Sequence, residues 1–214
     1  MNLVMHLKMM GYTRPVLFWQ CREENSARQR RKNAFIAATK IIYGYSPEDD
    51  IYIIDSQRDM TAAQKLHELL SQLQPDDKPV IIGINSTTTV KTYKAIMDQG
   101  LTIHNDIGLC GPEDWNWDNE MNWPTLLKPT ITSIYVPTKQ MGYKAAELLV
   151  KIIEGSSVNP QTIVLTRELH IRESTDLTKE KNLQEQLEKV DSAEADQHKN
   201  YLSADSNLKF RESC

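Results

Sequence analysis

The chain has little cysteine. Cys21, Cys110 and Cys214 are its three, and none stands at a CxxC or other metal-ligand spacing. An odd, scattered set argues against a disulfide framework and points to a reducing compartment. An excess of basic charge is lacking too. Twenty-five Lys and Arg face 29 Asp and Glu, a formal net charge of −4, whereas a surface built to neutralise phosphates needs a basic excess or a basic face. The short cationic run Arg28, Arg30, Arg31, Lys32 reads as a solvated helix face. No apolar run reaches membrane-spanning length, and Met1 to Met10 lacks a small-residue cleavage site. The expectation is a cytoplasmic chain with no membrane partner.

Catalytic signatures are also missing. The sequence has no GxSxG elbow, no Walker A run, no GxGxxG and no HExxH. Its five histidines, His6, His67, His104, His170 and His198, are scattered. Glu113 and Asp114 are adjacent, a spacing that turns two carboxylates apart more often than it pairs them. No enzyme, catalytic residue, metal or cofactor is expected.

What is present is an alternation of apolar runs and helical patterns. Pro15–Gln20, Ile51–Ile54, Val80–Ile84 and Asp106–Cys110 read as strands. Ser26–Tyr43, Thr61–Leu73 and Asn85–Gln99 read as the helices between them, the last stopped at Gly100. Ala34, Phe35, Ala38, Ile41 and Ile42 form the predicted buried face of the first helix, and Asp59 or Thr61 caps the second. Continuously apolar strands imply a sheet covered on both faces, and alternation with helices implies a parallel one. Gly111–Lys128, with Trp115, Trp117 and Trp123, reads as a loop. A strand over Thr130–Val136, a helix over Thr138–Glu154 and an alternating strand over Thr162–Ile171 follow. From about Asp176 the composition becomes polar, as in a disordered tail. The domains are thus 1–177, with crossover elements in 130–168, and a tail over 178–214.

In an open α/β sheet, ligands bind beyond the carboxyl ends of the strands. There lie Cys21–Asn25 with Arg31, then Asp55–Asp59, Asn85 and Ser86, and finally Glu113, Asp114 and Trp115. Amides, acids and a guanidinium suit a polyhydroxylated molecule, whose hydroxyls donate and accept at once, and a tryptophan face can cover a sugar ring. Each member alone also has a plain structural use: Asn85 or Ser86 as a helix cap, Asp55 as a strand end, the tryptophans as loop packing.

Several motifs in register resemble the LacI/GalR family of transcriptional regulators. They are Ile84–Gly111, Thr130–Val136, Met141-Gly142 with Ala145–Leu149, Glu154-Gly155, and Glu168-Leu169 through Ile171–Thr175. Upstream, Leu7–Phe18 and Arg31 with Ala34-Phe35 are similar to the family's apolar-strand and Arg-x-x-Gly-Phe segments. The likeness spans roughly residues 3–177. It implies an α/β fold with a parallel sheet flanked by helices: a periplasmic-binding-protein-like (type I) second lobe with a partial first lobe. It implies that Arg31 grips the effector's hydroxyls, that Asn85 follows strand three, and that Glu113 and Asp114 are the two acids at the ligand. Ser86 departs from the usual aspartate, Pro112 from an aromatic, and Ala34 from glycine. Asp114-Trp115-Asn116-Trp117 is similar to a run in regulators of the 2-keto-3-deoxygluconate type, which makes a sugar acid the first ligand to try.

The family's DNA-reading headpiece and most of its first lobe do not precede Met1 in this sequence. The implied function is therefore effector sensing, with operator DNA reached only through that headpiece and a homodimer in the full-length parent. Ligand closure would bias such a dimer between two arrangements. The chain alone is expected not to bind an operator, and the apolar face of Thr138–Glu154 is expected to be exposed. A fragment of a disrupted regulator gene and a transporter's solute-binding protein are the alternatives.

Overall fold

The computed structural model describes residues 1–20, 26–55, 60–114, 122–155 and 162–178. The chain divides into two compact units, Met1–Asp176 and Leu177–Cys214. The predicted tail falls almost wholly outside the described residues, as do Cys21, Trp115 and Trp117. Among the described residues, no helix is long and apolar enough to cross a membrane.

The first unit is built on a six-stranded sheet in the order β2-β1-β3-β4-β5-β6. Its strands are β1 (Arg14–Gln20), β2 (Ile51–Ile54), β3 (Pro79–Gly83), β4 (Gly108–Asp114), β5 (Thr132–Tyr135) and β6 (Glu168–His170). The pairs from β2 through β5 are parallel, and β6 runs antiparallel against β5. The expected parallel α/β sheet is there, with one antiparallel strand added at its edge. Helices α3 (Ala62–Ser71) and α4 (Ser86–Asp98) cover one face, where Leu66, Leu69 and Ile96 meet Val16, Phe18, Ile81, Leu109 and Ile131. Leu17 and Ile82 alternate with those strand residues, so they face the other side, that of α1 (Asn2–Met10) and α2 (Ser26–Tyr43).

Local chemistry explains three helix boundaries. Thr61 caps α3 through a capping box: its hydroxyl accepts from Gln64 N, and the Gln64 side chain accepts from Thr61 N. Two orphan amides are satisfied at once. Asn85 caps α4 by accepting from Thr88 N at 2.8 Å. Gly11, with φ 95°, ends α1 in the left-handed region that glycine enters at no steric cost.

Asn2–Met10, to which the sequence pattern assigned no element, form helix α1, which Leu3, Val4 and Leu7 with Gly11 as a stop could have revealed. Four expectations need correction. On α2, Ala34 and Ile41 are exposed, and the buried stripe is Phe35, Ala38 and Thr39. The edge strand β2 leaves Ile53 exposed, so not every apolar strand is covered on both faces. β4 spans Gly108–Asp114, not Asp106–Cys110, so Gly111 and Pro112 lie within a strand that pairs with β5. The supposed loop therefore begins later, and it also holds a short helix, α5 (Trp123–Leu126). Finally, the strand over Thr162–Ile171 shrinks to β6, because alternation assigns faces without supplying a partner strand. Val164 is 86% exposed.

Helix α6 (Thr138–Ile153) has no buried residue, and Leu149, Ile152 and Ile153 are open to solvent. The apolar face of this helix was expected to be exposed, and it is.

Candidate ligand-binding site

Strand order reverses between β1 and β3, and the chain leaves their carboxyl ends in opposite directions, which opens a crevice at the sheet edge. Three of the six sequence-predicted residues meet there. Arg31, one turn into α2, donates from Nη1 to the Ile84 carbonyl at 2.9 Å and to Glu113 Oε1 at 2.6 Å. The other carboxylate oxygen of Glu113 accepts from the backbone N and the Oγ of Ser86, each at 3.1 Å. Glu113 thus ties α2, β4 and the first residue of α4 together. The Arg31 and Glu113 side chains are 33% and 18% exposed, so a ligand can reach both.

The backbone that presents Glu113 is unusual. Pairing of β4 with β5 shifts register between Pro112 and Asp114, and Glu113 in that bulge has φ 73°. A non-glycine residue in this region costs on the order of 1–3 kcal/mol and persists only where its surroundings hold it. The indole N–H of Trp123 donates to the Glu113 carbonyl at 2.9 Å, and the carboxylate contacts hold the other end. The bulge also explains why two adjacent acids act separately.

Asp114 turns inward, 1% exposed. Its Oδ2 accepts from Arg172 Nη2 at 2.5 Å and from Ser133 Oγ at 3.0 Å, and lies 2.6 Å from His170 Nδ1. Burial alone would raise its carboxyl pKa. The hydrogen bonds from Arg172 and His170, the Arg172 charge and the Ser133 hydroxyl reverse that and hold it below the ordinary value. Tyr135 stacks on His170 with ring centroids 5.5 Å apart. These residues fasten the β4–β5–β6 seam, and sequence reasoning missed them: nothing in the spacing of His170 and Arg172 announces Asp114 as their partner. Asn85 spends its side-chain oxygen on the α4 cap. Trp115 lies outside the described residues.

Beside the Arg31–Glu113 bridge, on the α1/α2 side, a cavity of about 220 Å³ is lined by Arg31, Phe35, Ile84, Pro112 and Ile134, with Arg167 also at its wall. Among the described residues no group of three or more His, Cys, Asp or Glu could hold a metal ion. Burial pushes the Cys110 thiol pKa well up, which leaves no reactive thiolate there. The crevice thus presents fixed donors and acceptors beside an apolar wall.

A family model described as periplasmic binding protein-like domain matches residues 4–175. The chain belongs to that family. Among curated proteins it is similar to the HTH-type transcriptional regulator KdgR of Bacillus subtilis (strain 168), 29% identical over 166 residues, covering 77% of this chain and 46% of KdgR. It is also similar to catabolite control protein A of Priestia megaterium, 26% identical over 130 residues, covering 60% of this chain and 37% of that protein. Among solved structures, a LacI family transcriptional regulator from Enterococcus faecium with bound ribose superposes with a TM-score of 0.65 at 21% identity, over 81% of this chain and 61% of that one. CcpA of Lactococcus lactis gives 0.63 at 18%, over 82% and 60%. The chain spans less than half the length of these curated relatives.

Proposed function

We propose that this chain is the small-molecule sensing region of a LacI/GalR-type regulator, and that its effector is a sugar or sugar acid. The Arg31–Glu113–Ser86 bridge at the strand-order reversal is the observation that carries this reading. A guanidinium and a carboxylate held face to face can each exchange part of their pairing for ligand hydroxyls, which both accept and donate. Arg31, Ser86 and Glu113 make the polar contacts. Asn85 acts by fixing the α4 turn that presents Ser86, Asp114 by fixing the strand that presents Glu113, and Trp115 is assigned the covering face. The chain is not an enzyme, works in the cytoplasm, and pairs as a homodimer in a longer parent.

Titration of a panel of aldoses, alditols, hexuronates and aldonates, followed by tryptophan fluorescence, tests this. At least one is expected to bind, and Arg31→Ala should weaken it about 10- to 100-fold, the loss of charge-assisted hydrogen bonds worth about 1.5–3 kcal/mol. A panel without a binder, or a variant that binds as well as the parent chain, would sink the reading.

The 214 residues by themselves are also proposed not to read DNA, since a net charge of −4 gives no basic excess to neutralise phosphates. In a mobility-shift assay against duplexes with randomised cores, no sequence should be enriched. Enrichment of any one site would refute this.

A further inference from the structure

We infer that the site is built for an anionic ligand and that Arg167 is the residue that selects the charge. This rests on the carbohydrate-sensing reading above. Arg167 comes from the segment that leads into β6, and it lines the same cavity as Arg31 although the two are 136 positions apart in sequence, from residue 31 to residue 167. Their charges are balanced differently. Arg31 is neutralised by Glu113 at 2.6 Å, while Arg167 has no ion-pair or hydrogen-bond partner among the described residues. The cavity wall between them is largely apolar, with Phe35, Ile82, Pro112 and Ile134 on it.

An exposed, unpaired guanidinium costs nothing while water fills the cavity. A neutral ligand that displaces this water strips hydration from Arg167 and returns no counter-charge, and an unpaired cation against an apolar wall is costly. A ligand carboxylate removes that penalty and adds a charge-assisted, bidentate contact. The hydroxyls of the same ligand meet the Arg31–Glu113–Ser86 bridge, whose net charge is zero and which accepts neutral and charged sugars alike. Charge selection and hydroxyl recognition therefore reside on different residues and can be separated by mutation.

Isothermal titration of the full chain with matched pairs makes that separation. D-Glucuronate against D-glucose, D-galacturonate against D-galactose, and D-gluconate against D-glucitol each exchange a carboxylate for a hydroxymethyl group. At least one acid is expected to bind ten times or more tighter than its neutral partner, with affinity falling as salt rises. Arg167→Gln should bring the two members of that pair to about equal affinity, the acid binding more weakly than to the parent chain and the neutral partner at least as tightly, while Arg167→Lys keeps part of the preference. Arg167 is exposed, so an unchanged melting curve should accompany these variants. Equal binding of acid and neutral partner by the parent chain, or an acid preference that survives Arg167→Gln, overturns the inference and leaves carbohydrate sensing standing. If no member of any pair binds, both fall.

Discussion

Replacing Arg172 with alanine is expected to lower the unfolding free energy by about 3–5 kcal/mol at neutral pH, the range for removing one partner of a buried ion pair. Asp114 is 1% exposed and Arg172 14%, so the substitution leaves a carboxylate in the interior without its main counter-charge. It also removes the donors that satisfy the Ile131 carbonyl and the Ser133 hydroxyl. The pH dependence follows from the direction of the Asp114 shift. A carboxyl whose pKa is lower in the folded chain contributes stability that is fully present above the unfolded value, about 3.9, and is lost as pH falls through the folded value. The parent chain should thus lose this contribution on acidification below about pH 4. The variant has already lost it, so its deficit should be smaller at pH 3 than at pH 7. Urea denaturation at both pH values reads this directly, and a deficit under about 1 kcal/mol at pH 7 would mean that the seam is held by other contacts.

That seam marks where sequence legibility ends. The helices over Ser26–Tyr43 and Ser86–Asp98, and the apolar strands, were readable from apolar periodicity, helped at Ser86–Asp98 by the Asn85 cap. That Arg31 and Glu113 would meet was readable because strand ends converge at one edge, a property of the topology. The continuation of β4 through Gly111 and Pro112 was not readable: both are turn residues by local rule, and only pairing with β5 and the bulge at Glu113 make them strand. Asp114 was expected at the ligand beside Glu113, yet the same bulge points its carboxylate at Arg172, Ser133 and His170. A one-residue change of register decides between two such environments, and no local signal encodes it.

Gly83→Ala is expected to cost about 2–3 kcal/mol, in the range for overpacking a tight interface, and to weaken ligand binding as well. A Cβ at Gly83 would meet the Thr89 side chain, and also Thr89 N at 2.8 Å and Cα at 2.9 Å. Side-chain rotation cannot relieve a clash with backbone, so the first turn of α4 must move. That turn contains the Asn85 cap, and Thr89 Oγ1 donates to the Asn85 carbonyl at 2.9 Å. It also positions Ser86, whose N–H and hydroxyl hold the Glu113 carboxylate at 3.1 Å each. A displacement of a few tenths of an ångström is enough to stretch both contacts past hydrogen-bond length, and Glu113 then pairs with Arg31 alone. Gly142→Ala is the control. It lies in α6 with nothing within 4 Å of the added carbon, and replacing a mid-helix glycine should gain about 0.5–1 kcal/mol. Thermal melts and the fluorescence titration should therefore move together for Gly83→Ala, whereas Gly142→Ala should melt higher and bind as the parent chain does. Loss of stability at Gly83 with unchanged affinity would separate the α4 turn from the ligand, and would remove Ser86 from the site.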